Sequence, residues 1–146
     1  MLTLSDTRQK TDYDCGIVAV KILLKALGKR LTPDNEKVLA TSPIDGTDPR
    51  AIESLLRKLG LHVVSGEMTW SDLVYFTQTR PVICLVTYDK VGHWVVAAGL
   101  KDRKMHYQDP SAGPRSLGKR KWLEHWKDID RLGATYRQWG IAAWRL

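Results

Sequence analysis

The segment Asp14-Cys15-Gly16-Ile17-Val18-Ala19-Val20-Lys21-Ile22-Leu23-Leu24-Lys25-Ala26-Leu27 decides how the rest of the chain is read. It is apolar almost all round, broken only by Lys21 and Lys25, which stand four apart and share one helix face. A helix with so little polar surface is a buried one. Asp14 is placed to cap it and Gly28 to stop it. The helix puts a cysteine in its first turn, where the partial positive charge of the N-terminus favours a thiolate. Gly16 beside it offers no side chain, so a substrate backbone has room to approach.

Moving outward, residues 1–13 read as an extended polar lead-in. Thr32-Pro33 opens a second helix that ends before the Ser42-Pro43 turn, since proline at the first helical position loses nothing by lacking an N–H. Asp48-Pro49 opens a third, carrying Ile52, Leu55, Leu56 and Leu59 at helical spacing up to Gly60. A short strand over 61–64 and a short helix from Ser71 toward Gln78 follow. From Pro81 the rhythm changes. Pro81 to Tyr88 is a continuous apolar run, as in a central strand buried on both faces. Strands over 93–100 and 104–108, a helix over about 118–127 and a last strand around 136–144 complete the chain. Helices first and antiparallel strands after give an α+β class, in one domain over 1–146.

Composition excludes several alternatives. The 146 residues are 43% hydrophobic and 27% charged, a globular balance. No apolar run reaches the roughly 18–20 residues of a membrane span, and the N-terminus lacks a signal-peptide pattern. Two cysteines without CxxC spacing, and four histidines without HxxxH, leave no zinc pattern, and neither a metal nor a cofactor is expected. Free thiols without an export signal fit a reducing, cytoplasmic compartment. The net charge of +7 and six tryptophans raise nucleic acid as a partner. The basic residues are scattered, however, and no nucleic-acid motif accompanies them. Trp122, Trp126 and Ile129 repeat at helical spacing and pack on the sheet, leaving the basic run Lys119-Arg120-Lys121 as a solvated face.

A thiolate at Cys15 needs a base and an oxyanion hole. His93 begins a strand after Gly92. In a hairpin turning near 101–102, position 93 faces about 109–111, which sets Asp109 beside the imidazole to orient it. Gln9 supplies a side-chain amide donor, and the Cys15 N–H a second. Cys84, within the apolar strand, reads as packing, and His62, His106 and His125 as structural or exposed.

The run from Gln9 through Asp14-Cys15-Gly16, with Ala19 after it, resembles the nucleophile motif of the C39 peptidases, papain-like enzymes that process bacteriocin leaders after a double glycine. Gly92-His93-Trp94-Val95-Val96 resembles the family's histidine motif, and Asp109-Pro110 with Gly113 its aspartate motif. The resemblance covers about residues 7–144. It implies a papain-like cysteine peptidase fold, with Cys15 as nucleophile, His93 as base and then acid, Asp109 as orienter and Gln9 as oxyanion donor. It also implies a peptide or protein substrate cut after a Gly-Gly type motif. Characterised leader peptidases of this type are joined to a transporter, whereas this sequence has no GxxxxGK[ST] motif. Alternatives are a related isopeptidase or effector acting on another protein, or a non-enzymatic module binding peptide or nucleic acid.

Overall fold

A computed structural model describes residues 1–130 and 132–145. Helix α1 spans Cys15–Ala26, α2 Pro33–Val38, α3 Pro49–Lys58, α4 Trp70–Thr77 and α5 Lys119–His125. The strands are β1 His62–Glu67, β2 Val82–Tyr88, β3 Val91–Lys101, β4 Lys104–Asp109, β5 Gly113–Gly118, β6 Lys127–Ile129, β7 Thr135–Arg137 and β8 Trp139–Trp144. Six of them form one antiparallel sheet in the order β1-β8-β2-β3-β4-β5, and β6 pairs with β7 apart from it.

The apolar run on β2 follows from its place inside that order. Ile83 and Leu85 face the core under α1 and α3, with Trp94, Val96 and Ile141. Val82, Cys84 and Val86 face the opposite core, with Val95, Ala97, Met105, Tyr107, Trp122 and Trp126. Alternation along a pleated strand sends successive side chains to opposite faces, so a strand covered on both is apolar throughout. Helix α1 buries eight of its residues, and the exposed Lys25 and partly exposed Lys21 mark its outer edge. Thr32, Asp48 and Thr69 cap α2, α3 and α4 with their side chains.

Several expectations are corrected. Strand β5 lies where no strand was predicted; Gly113 and Pro114 disguise it, but at the edge of a sheet a proline costs no ladder bond on its outer side. The last strand is two, because Gln138 takes a left-handed φ of 49° between β7 and β8. The helix near the C-terminus stops at His125, so Ile129 belongs to β6 and is 69% exposed, while Trp122 and Trp126 are fully buried as expected. The basic residues are less scattered in space than in sequence. Lys104 pairs with Gly118, which draws Lys101, Arg103 and Lys104 to the same corner as the exposed Lys119-Arg120-Lys121.

Candidate active site

The β3–β4 hairpin turns at Asp102-Arg103, both with left-handed φ, as the two-residue turn of such hairpins requires. A bulge between Ala97 and Gly99 then sets the register Val96 to Gln108. That register brings Asp109 diagonally beside His93, and His93 Nε2 lies 2.6 Å from Asp109 Oδ1. An ionised carboxylate only accepts, so Nε2 carries the proton. The nitrogen left for the thiol side is Nδ1.

Asp109 is 1% exposed and its Oδ1 also accepts from the Ser111 N–H (2.8 Å) and Ser111 Oγ (2.7 Å), while Arg115 Nη1 stands 3.8 Å from Oδ2. Burial alone would raise its carboxyl; the His93 hydrogen bond and charge, with Ser111, instead hold it at about 2. Burial likewise works against a charged His93, but the Asp109 hydrogen bond and the interaction with the Cys15 thiol raise it from 6.5 to about 9. The ring of Tyr88, centred 6.0 Å away, contributes to shielding His93, and its hydroxyl shares a 2.8 Å hydrogen bond with Tyr107. His93 therefore meets Asp109 on one side and Cys15 on the other.

Cys15 opens α1 and lies on the wall of a cleft of about 480 Å³. Loop 40–49, the start of β3 and the residues around β6 form the other walls. Gly16 has a packing reason that the sequence did not show. A Cβ there would lie 2.5 Å from Thr47 Oγ1 and 3.0 Å from Trp94 Cδ1, so glycine is what lets α1 seat against the cleft wall. Trp94 Nε1 donates to Thr47 O at 3.2 Å and ties the same wall to β3. Gly92 is equally confined: its Cβ would lie 2.6 Å from Asp128 Oδ2. Thr47, Ser111, Tyr88 and Asp128 carry no motif, and only the folded chain brings them to this place.

The backbone N–H of Gln9 donates to Pro110 O at 2.9 Å, which fastens the lead-in beside the Asp109 turn. Its side-chain Nε2 donates to Thr11 O at 2.7 Å, and Oε1 is buried without a partner among the described residues. Cys84 is fully buried on the far face of β2, and burial pushes its thiol up. His62 stacks on Trp144, His106 meets Lys101 O and His125 meets Thr87 O. Among the described residues no group of three His, Cys, Asp or Glu side chains is arranged to hold a metal ion. No described helix is long and apolar enough to cross a membrane.

Comparison with known proteins places the chain in a family and identifies its fold. Among curated proteins, the lactococcin-G-processing and transport ATP-binding protein LagD of Lactococcus lactis subsp. lactis is 27% identical over 109 residues, 72% of this chain. The match spans only 15% of that relative's length. Among solved structures, a double glycine motif protease from an AMS/PCAT transporter, in complex with the leader peptide, superimposes with a TM-score of 0.77 at 15% identity, over 99% of this chain and 93% of that one. The peptidase domain of Streptococcus ComA, a bifunctional ABC transporter of a quorum-sensing pathway, gives 0.75 at 18% identity over the whole of both chains. The peptidase C39 family matches residues 4–130. The chain belongs to the peptidase C39 family, and is a cysteine peptidase of papain-like fold.

Proposed function

We propose that this peptidase hydrolyses a peptide bond following a Gly-Gly type motif, with Cys15 as nucleophile, His93 as general base and acid, Asp109 as its orienter and Gln9 as an oxyanion donor. The observation that carries the proposal is His93, held by Asp109 at 2.6 Å through Nε2 and in interaction with the Cys15 thiol at the first turn of α1. His93 removes the thiol proton, and the thiolate attacks the carbonyl carbon. The oxyanion is met by the remaining Nε2 hydrogen of Gln9 and the Cys15 N–H. The imidazolium then protonates the departing amine, leaving a thioester. Water, deprotonated by His93, releases the acid and restores the thiol.

The substrate in this proposal is a peptide or protein strand lying in the cleft beside Cys15. Residues 1–146 act as one peptidase domain, and a cytoplasmic, reducing setting keeps both thiols free. The test is a peptide ending in Gly-Gly and bearing a thiol-reactive group. It is expected to modify Cys15, with His93→Ala slowing the modification sharply. Modification of Cys84 in the folded protein would refute the assignment.

A further inference from the structure

Asp14 stands at the N-cap of α1, where an aspartate ordinarily accepts from the N–H groups of its own helix. Thr32, Asp48 and Thr69 do so in α2, α3 and α4. Asp14 does not. Its Oδ2 accepts from the Lys10 N–H at 3.0 Å, and its Oδ1 from the Thr11 N–H at 3.0 Å and Thr11 Oγ1 at 2.9 Å. The carboxylate thus turns away from the helix and closes the preceding loop.

That loop carries the Gln9 contact. Thr11 O accepts from Gln9 Nε2 at 2.7 Å, and this decides which end of the amide is nitrogen, since the reverse would set two oxygens together. The main chain of Gln9 is fixed separately, by Pro110 O. We propose that Asp14 is a positioning residue for the oxyanion hole: its carboxylate holds the Thr11 peptide, whose carbonyl orients the Gln9 amide. The inference rests on the reading of Gln9 as oxyanion donor given above. Burial raises the Asp14 carboxyl, and the Lys10 and Thr11 donors more than offset it, so the carboxylate stays ionised. Leaving α1 without a side-chain cap also keeps its first N–H groups available beside Cys15.

The discriminating variant is Asp14→Ser, because serine is a strong helix cap but reaches one donor where the carboxylate reaches three. The probe is a Gly-Gly peptide carrying a fluorogenic amine, compared for wild type, Asp14→Ser, Gln9→Ala and the double variant. Gln9→Ala is expected to lower kcat by about 10²–10³-fold. Asp14→Ser is expected to lower kcat by at least about tenfold, short of the Gln9→Ala loss, with KM and melting temperature retained. The double variant should be no slower than Gln9→Ala within about twofold, since residues acting through one another do not add. Alkylation of Cys15 by iodoacetamide, which needs no oxyanion hole, should keep its wild-type rate in Asp14→Ser. Wild-type kcat in Asp14→Ser with Gln9→Ala impaired would overturn the Asp14 proposal alone. So would losses that multiply in the double variant, or alkylation that falls along with kcat. Wild-type kcat in Gln9→Ala, or a probe left intact by the wild type, would instead overturn the underlying functional reading, and this inference with it.

Discussion

Replacing Asp109 by asparagine keeps the shape of the side chain and removes its charge. The structure gives the size of the effect. The carboxyl is held at about 2 against 3.8 and the imidazole at about 9 against 6.5. At about 1.36 kcal/mol per pKa step, displacements of this size are worth a few kcal/mol. Cys15 acts on His93 as well. The pair is therefore assigned about 2–3 kcal/mol. Without the charge, the burial of His93 acts with less opposition, and its titration should fall below about 9. The sign follows from which form is favoured. His93 is raised, so its contribution to stability is complete below 6.5 and lost as pH climbs through about 9. Asp109 is depressed, so its contribution is present above 3.8 and lost as pH falls through about 2. Urea unfolding should show the deficit of Asp109→Asn at its greatest between those limits, near pH 5–6, shrinking toward pH 10. In turnover of the Gly-Gly probe, the alkaline limb of kcat/KM should move down from about 9. An alkaline limb unmoved in Asp109→Asn would refute the claim that this carboxylate sets the state of His93.

Three further outcomes test the architecture. Iodoacetamide should modify Cys15 and leave the fully buried Cys84 untouched in the folded chain; native modification of Cys84, read by peptide mass, would contradict its placement. Gly16→Ala forces a methyl against Thr47, whose Oγ1 would be 2.5 Å away, and should cost about 1–3 kcal/mol in urea unfolding, with unchanged stability as the contrary result. Trp122→Ala empties the centre of the second core, where the ring lies 5.3 Å from that of Tyr107, and should cost about 3–5 kcal/mol; a loss under about 1 kcal/mol would show that this core is not closed around it.

The parts of the fold legible in the sequence are those where one local signal dominates. The buried helix at Cys15, the doubly covered strand β2 and the proline-led helices α2 and α3 all stand where periodicity and capping put them. The facing of His93 and Asp109 was legible because a two-residue turn nearly fixes a hairpin's register. The bulge at Gly99 shifts that register by one residue, and nothing local announces it. Asp14 was readable as a cap by residue type; its side chain turned to the loop because Lys10 and Thr11 offer three donors there. Gly16 and Gly92 were readable as permissive positions, but the atoms they make room for, in Thr47, Trp94 and Asp128, come from distant segments. The strands β6 and β7 pair within residues 127–137, but at three residues each they are too short for an alternation to show.

If Cys15 carries the acyl group, intact-mass spectrometry of the protein during turnover of the Gly-Gly probe will catch it. A transient adduct of acyl mass is expected, localised to Cys15 and absent from Cys15→Ala, with that variant hydrolysing nothing. Hydrolysis persisting in Cys15→Ala, or an adduct localised to any other residue, would contradict that role for Cys15.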